Sequence, residues 1–193
     1  LKKKRDKRKR DLAFMNFTDD MFDTVDQLYN HPSVCLWTIF NEGWGQANSS
    51  LLYKELKDYD PTRFIDSASG WFKGGENDVE SEHVYFKPYK FRAADKPVFL
   101  SEFGGYAYRV EGHVFNPDKQ YGYRKIETRE QLQSDLKRLY EQEVLPAVER
   151  GLCAAVYTQV SDVEDETNGL LSYDRKVCKL TPDRMLPIAE LLK

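Results

Sequence analysis

The feature that most constrains the fold is the alternation of short, continuously apolar runs with longer amphipathic stretches along the 193 residues. The apolar runs are rich in β-branched and aromatic residues, which is typical of strands buried on both faces. They occupy residues 33–40, 97–101 and 152–160, with weaker strand signals at 63–67 and 82–86. The stretches with apolar residues at helical spacing are 18–29, 46–59 and 128–140. This order predicts an α/β fold with a parallel sheet, and the pattern alone leaves a doubly wound sheet and a (β/α) barrel open.

Charge is distributed unevenly along the chain. The formal net charge is −3, which gives no indication of a nucleic-acid or membrane partner. Basic residues are nevertheless concentrated in residues 1–10, LKKKRDKRKR. A nucleic-acid patch is one interpretation of this segment, and a solvated terminus is the one we favour. We therefore expect residues 1–17 to form an irregular or disordered basic arm and residues 18–193 to form one domain.

Cysteine usage and acidic clusters indicate no metal or cofactor. Three cysteines at wide spacing argue against a disulfide framework or a metal site. Cys35 and Cys153 lie within apolar runs and are predicted to be buried. The acidic segment 162–166 does not have the spacing of a calcium loop, so we expect it to be a solvated loop. No run is long enough to span a bilayer and no signal peptide is visible, so we expect a soluble protein of unassigned compartment.

Two of the predicted strands end in a carboxylate. Asn41 and Glu42 follow the run at 33–40, and Glu102 follows the run at 97–101. Side chains at the carboxyl ends of parallel strands face a shared active-site mouth. Paired carboxylates suit glycoside hydrolysis, in which one is held protonated and the other stays ionised, about 5–5.5 Å apart in the retaining mechanism. The alternative is that each glutamate is a strand-end ion pair or a helix cap.

Other polar and aromatic side chains are candidates for sugar binding. Trp44 and Trp71 follow strand ends and suit stacking on a sugar ring, with core filling as the alternative. His83 and Tyr85 are two residues apart on a predicted strand, so both lie on one face and point toward the cleft. Gln159, at the end of the last strand, is a candidate for binding a hydroxyl group, and a core amide is the alternative.

An ordered set of short motifs spans the chain from about residue 18 to its end. Asn41-Glu42-Gly43-Trp44-Gly45-Gln46 resembles the acid/base strand of glycoside hydrolase family 2, and Ser101-Glu102-Phe103-Gly104-Gly105 resembles its nucleophile strand. The further motifs are Ser69-Gly70-Trp71, Glu82-His83-Val84-Tyr85 and Val156-Tyr157-Thr158-Gln159. This family includes β-galactosidases, β-glucuronidases and β-mannosidases.

The resemblance implies a (β/α)8 TIM barrel whose acid/base follows strand four and whose nucleophile follows strand seven. Glu42 is then the expected acid/base, Glu102 the nucleophile and Asn41 a ligand of the sugar 2-hydroxyl. We expect the chain to be a partial barrel, roughly strands four to eight, inactive alone and self-associating through open edges. The expected activity of the enzyme is retaining exo-hydrolysis of a terminal β-linked sugar, with a β-galactoside as the expected substrate. β-Glucuronidase or β-mannosidase specificity and a non-catalytic carbohydrate-binding barrel are the alternatives.

Overall fold

The computed structural model describes residues 2–42, 45–72 and 74–192, with side chains from Lys9 onward. By its contacts the chain divides into two compact units, Leu1–Glu80 and Ser81–Lys193. The helices are α1 Lys2–Leu28, α2 Ser49–Tyr59, α3 Arg129–Leu139, α4 Leu145–Val148 and α5 Pro182–Ala189. The strands are β1 Leu36–Thr38, β2 Phe64–Asp66, β3 Glu80–Val84, β4 Val98–Gly104, β5 Tyr106–Tyr108, β6 Arg124–Ile126 and β7 Leu152–Thr158. Among the described residues, no helix combines the length and apolarity needed to cross a bilayer.

The prediction that residues 1–17 form an irregular arm is wrong, because helix α1 begins at Lys2. Neither glycine nor proline interrupts this stretch, and lysine, arginine, leucine and alanine are good helix formers. The apolar face of helix α1 also starts earlier than residue 18, since the ring of Phe17 stacks on Phe40 with centroids 5.0 Å apart. Thr18 lies inside this helix, and its hydroxyl donates to the carbonyl of Phe14, one turn earlier, at 2.9 Å.

The first unit builds a small core around two parallel strands. β1 and β2 pair in register, with Trp37 opposite Ile65. Both of these side chains are buried, together with Val25 of α1 and Leu56 of α2. The predicted strand 33–40 is therefore only three residues long, and Cys35 lies ahead of it and is exposed rather than buried.

A buried ion pair closes the end of helix α2 against this core. Arg63 donates to the Asp60 carboxylate at 2.8 Å, and the Trp37 indole donates to the same oxygen at 2.8 Å. Thr62 supplies two further hydrogen bonds to Asp60. Burial raises the pKa of Asp60, but the hydrogen bonds from these neighbours outweigh it and hold the pKa well below its usual value. The ionised form of Asp60 is therefore part of the folded structure.

The second unit contains a sheet in the order β3-β4-β7, in which β4 and β7 are parallel, and a separate parallel pair, β5 and β6. The segment 104–126, in which the sequence predicts neither a strand nor a helix, thus contains two short strands. β7 is an edge strand, so self-association through an open edge stays a prediction. Cys153 is exposed because it alternates with the buried Leu152 and faces away from the core.

Helix α3 begins as the sequence predicts. The Thr128 hydroxyl accepts a hydrogen bond from the backbone N–H of Gln131 at 3.0 Å, which is half of a capping box. The Gln131 side chain accepts in turn from the N–H of Glu127. Pro146 does not end the helix at its own position, because a π-helical turn at Tyr140–Val144 leads into α4. A widened turn accommodates a residue that lacks an N–H donor.

The loop after β7 is more buried than its acidic sequence indicates. The Asp162 carboxylate lies 2.6 Å from the Lys179 ammonium group, and both side chains are buried. Lys179 also donates to the carbonyl of Thr167, and Asp162 accepts from the N–H of Gly169. Burial raises the pKa of Asp162 and lowers that of Lys179, against the pull of their mutual attraction. The prediction of a fully solvated loop at 162–166 is therefore wrong at its first residue.

Candidate functional site

In the first unit, the parallel pairing of β1 and β2 continues beyond the strands and sets the position of Asn41 and Glu42. The N–H of Ser69 donates to the carbonyl of Phe40 at 2.9 Å, and Asn41 forms a parallel bridge with Ser69. The Ser69 hydroxyl also donates to Asn41 Oδ1 at 3.0 Å. Among the described residues, none accepts from Asn41 Nδ2, so this exposed amide has donors available for a hydroxyl group.

Glu42 has a backbone conformation that non-glycine residues seldom adopt. Its φ is 53°, in the left-handed region, and its side chain is partly exposed. Such outliers concentrate at functional sites, where the surrounding structure holds them. Trp71, which follows β2, is 46% exposed, as a sugar-stacking indole requires. Trp44 lies outside the described residues, so its assignment stays a prediction.

In the second unit, a β-bulge in β4 determines where Glu102 points. Leu100 pairs with Ala155 and Phe103 pairs with Tyr157, so three steps along β4 match two steps along β7. The extra residue allows Leu100 and Phe103 both to enter the core, although they are three positions apart and regular alternation would place them on opposite faces. Glu102 is thereby directed away from this core, with its side chain 28% exposed.

The carboxylate of Glu102 is held on one of its two oxygens. The Tyr85 hydroxyl donates to Oε2 at 2.5 Å, and His83 Nδ1 lies 3.3 Å from the same atom. The Tyr85 oxygen also lies 2.9 Å from Thr158 Oγ1. Because the single phenolic proton is given to Glu102, Thr158 is the donor in this second bond. Within the described part of the second unit, no residue donates to Oε1.

The environment of Tyr85 keeps its phenol protonated. Burial is the largest cause and the hydrogen bond to Glu102 the next, and together they raise the pKa of Tyr85 far above its usual value. The ring is stacked on Tyr123, with centroids 3.6 Å apart and planes 5° from parallel. Tyr85 is therefore a fixed donor to Glu102 throughout the ordinary pH range.

The two glycines after Glu102 make room for the rings around it. Gly104 has φ +84°, and a Cβ there would lie 2.3 Å from the Tyr157 ring. Gly105 has φ +63°, and a Cβ there would lie 2.4 Å from the Tyr123 ring. Both positions therefore require glycine for its backbone conformation and for its lack of a side chain.

Gln159 is engaged within its own loop. Its Nε2 donates to Glu166 Oε2 at 2.9 Å and to Asn168 Oδ1 at 2.7 Å. Both amide hydrogens of Gln159 are therefore used within the loop. This arrangement is similar to the core amide named as the alternative, except that the partners are side chains and not backbone groups. Its assignment to substrate binding has no direct test and stays a prediction.

The structure brings His83, Tyr85 and Glu102 together, as expected from two residues on one strand face. Thr158 and Tyr123 also belong to this cluster and were not predicted as site residues. Thr158 lies in the motif Val156-Tyr157-Thr158-Gln159, of which Gln159 is the residue predicted to bind the sugar. Nothing in the sequence distinguishes Tyr123 from the other tyrosines in the segment 104–126.

Comparisons with known proteins bear on the family and the fold of the chain. The sequence profile described as Glycosyl hydrolases family 2, TIM barrel domain, matches residues 8–103. A β-glucuronidase of Bacteroides fragilis is 32% identical over 93 residues, which are 46% of this chain and 13% of the relative. The range matched by the family profile includes both Glu42 and Glu102.

Among solved structures, a β-glucuronidase of an uncultured Clostridium species aligns with a TM-score of 0.57 at 14% sequence identity. The alignment covers 92% of this chain and 35% of that one. The fold prediction, part of a (β/α)8 TIM barrel, is thereby confirmed, and the chain has the fold of the barrel glycosidases. It belongs to glycoside hydrolase family 2. It spans well under two thirds of the length of either relative.

Proposed function

We propose that the protein is a retaining β-glycosidase in which Glu102 is the nucleophile and Glu42 the acid/base. The observation that carries this proposal is the way Glu102 is held. Both of its contacts in the second unit are to Oε2, which leaves Oε1 as the attacking oxygen. A partly exposed carboxylate with a fixed orientation suits attack on a sugar carbon.

The reaction then has two displacement steps. In the first, Glu102 Oε1 forms a bond to the anomeric carbon while the glycosidic bond breaks, and Glu42 donates a proton to the departing oxygen. In the second, Glu42 takes a proton from water, and the water oxygen replaces Glu102 at the anomeric carbon. Both carboxyl groups return to their starting states, and the configuration of the sugar is retained.

Tyr85 supports Glu102 in both steps. Its hydroxyl stabilises charge on Oε2 and limits rotation of the carboxylate, so that Oε1 keeps its direction. The Thr158 hydroxyl positions Tyr85 by donating to the phenolic oxygen. In the first unit, the free Nδ2 donors of Asn41 suit a hydroxyl group of the sugar.

The substrate is a terminal β-linked sugar. A β-galactoside is the substrate expected from the sequence. The relatives named above are both β-glucuronidases, and this favours a β-glucuronide as the second candidate. Nitrophenyl β-galactoside and β-glucuronide, assayed side by side on the full-length protein, decide between them by their kcat/KM values.

Substitution of the two glutamates in the full-length protein tests the mechanism. Glu102→Ala should abolish turnover, because it removes the carboxylate that forms the covalent bond to the sugar. Glu42→Ala should lower the rate about 10²–10⁴-fold on glycosides with poor leaving groups and much less on dinitrophenyl glycosides, which need no proton. Glu127→Ala, which removes an exposed carboxylate, is the matched control. Near-normal rates of both variants on an unactivated glycoside would show the assignment to be wrong.

A further inference from the structure

A cavity of about 440 Å³ in the second unit has no part in the proposed hydrolysis. It is lined by Glu82 of β3 and by side chains of the loop 87–92. Successive side chains of a strand point to opposite faces, so Glu82 lies on the face of β3 opposite to His83. Since His83 contacts Glu102, the cavity faces away from the carboxylate assigned to catalysis.

The cavity is rich in positive charge. Lys87, Lys90 and Arg92 line it, and Glu82 is the acidic residue of the lining. The described residues provide no ion pair or hydrogen bond to any of the three cations. Three positive charges against one negative charge leave this cavity cationic within a chain whose net charge is −3.

The loop that carries these cations is anchored. Tyr89 and Phe91 are each 7% exposed and pack into the core of the unit. The N–H of Tyr89 donates to Glu143 Oε2 at 2.5 Å, and the Arg150 guanidinium lies 5.6 Å from the centre of the Phe91 ring. Because Tyr89 and Phe91 are buried, the side chains that alternate with them, Lys90 and Arg92, are exposed. The backbone that carries Lys90 and Arg92 is therefore ordered before any ligand arrives, which lowers the entropic cost of binding.

The floor of the cavity has two buried polar groups, the hydroxyl of Tyr89 and Oε2 of Glu82. They interact with each other, and neither has a further hydrogen-bond partner among the described residues. Burial first, and the hydrogen bond to the Glu82 carboxylate next, raise the pKa of Tyr89, so the phenol stays protonated. A ligand with hydroxyl groups can accept from Tyr89 and donate to Glu82.

We propose that this cavity binds a monosaccharide-sized ligand bearing a phosphate or sulfate group, with the oxyanion on Lys87, Lys90 and Arg92 and sugar hydroxyls on Tyr89 and Glu82. Lysine and arginine bind tetrahedral oxyanions by charge-assisted hydrogen bonds. The volume of the cavity lies within the range of small-molecule sites. The ligand class thus follows from a cationic rim above a polar floor.

Titration of the chain with four probes, followed by calorimetry and by NMR shifts, tests the proposal. Glucose 6-phosphate, glucose 6-sulfate or both should bind with shifts centred on the loop 87–92, and their relative affinities identify the preferred oxyanion. Inorganic phosphate should bind at least about fivefold more weakly, because it cannot reach the floor. Glucose alone should not bind detectably. Equal binding of inorganic phosphate and both sugar esters, or no binding of either ester at 10 mM, would overturn the proposal.

Variants locate the binding. Lys90→Gln/Arg92→Gln should weaken the sugar ester at least about tenfold, while Lys119→Gln/Lys125→Gln, which removes two exposed charges elsewhere in the unit, should not. Tyr89→Phe keeps the buried ring and should weaken the sugar ester about fivefold without changing the affinity for inorganic phosphate. Circular dichroism confirms that each variant is folded. An equal loss in the control variant would refute a specific site.

Discussion

The hydrogen bond from Tyr85 to Glu102 gives the sharpest prediction about catalysis. Tyr85→Phe removes the donor 2.5 Å from Oε2 and leaves the ring that stacks on Tyr123. A hydrogen bond to a charged group contributes about 1.5–3 kcal/mol. If that stabilisation is lost in the transition state of the first step, the rate falls about 10- to 150-fold. The packing of the site should be unchanged, because only one oxygen is removed.

The assay is kcat/KM on a dinitrophenyl glycoside with the full-length protein, which reports the formation of the covalent intermediate. Because the pKa of Tyr85 is raised, its phenol is neutral and donating throughout the assay range, and the ratio of wild-type to variant rates should stay constant from about pH 5 to 9. Tyr121→Phe, which removes an exposed hydroxyl nearby, is the control. A rate within twofold of wild type for Tyr85→Phe would refute the supporting role of Tyr85.

The hydrogen bond from Thr158 to Tyr85 gives a second prediction about catalysis. Thr158→Val removes the donor to the Tyr85 oxygen, a neutral hydrogen bond of about 0.5–1.5 kcal/mol, and should slow the reaction about 2- to 12-fold. Thr158→Ser keeps the hydroxyl and should restore the rate. A larger loss of rate for Thr158→Val than for Tyr85→Phe would contradict the proposal that Thr158 acts on Glu102 through Tyr85.

Three further predictions concern stability, each measured by urea unfolding. Gly105→Ala should cost about 2–4 kcal/mol, from its positive φ and its collision with a neighbouring ring, whereas Gly112→Ala, with a positive φ in open space, should cost about 1 kcal/mol. Asp60→Asn should cost about 3 kcal/mol at pH 7. Because the folded pKa of Asp60 is lowered, its contribution is present above the unfolded value of about 3.9 and is lost as pH falls, so the variant should lose less stability below pH 4 than wild type. Lys179→Met should cost about 3–5 kcal/mol, and Lys179→Met/Asp162→Leu much less, because the double variant leaves no unpaired buried charge.

The elements with strong local signals were predictable from the sequence. Helix α2 ends beside Asp60-Pro61, and α3 begins at the Thr128 cap, because both boundaries depend on neighbouring residues alone. Helix α1 was predicted too short, since its basic residues obscured an apolar stripe that runs back to Phe17. The burial of Asp162 was missed because its partner, Lys179, is remote in sequence.

The candidate site was predictable only where it depends on the local sequence. The spacing of His83 and Tyr85 places both on one strand face, and they lie beside Glu102 as this alternation predicts. Thr158 was missed because its contact with Tyr85 depends on the register between β4 and β7. That register contains a bulge, which no local sequence pattern specifies.

Covalent trapping of the nucleophile tests the central claim most directly. A 2-fluoro glycoside with a dinitrophenyl leaving group, of whichever sugar the protein hydrolyses, should inactivate the full-length protein and add one fluoroglycosyl group. Peptide mapping by mass spectrometry should place this group on Glu102, and Glu102→Ala should not be labelled. A label on Glu42 or any other residue, or rapid turnover of the unactivated substrate by Glu102→Ala, would contradict the account.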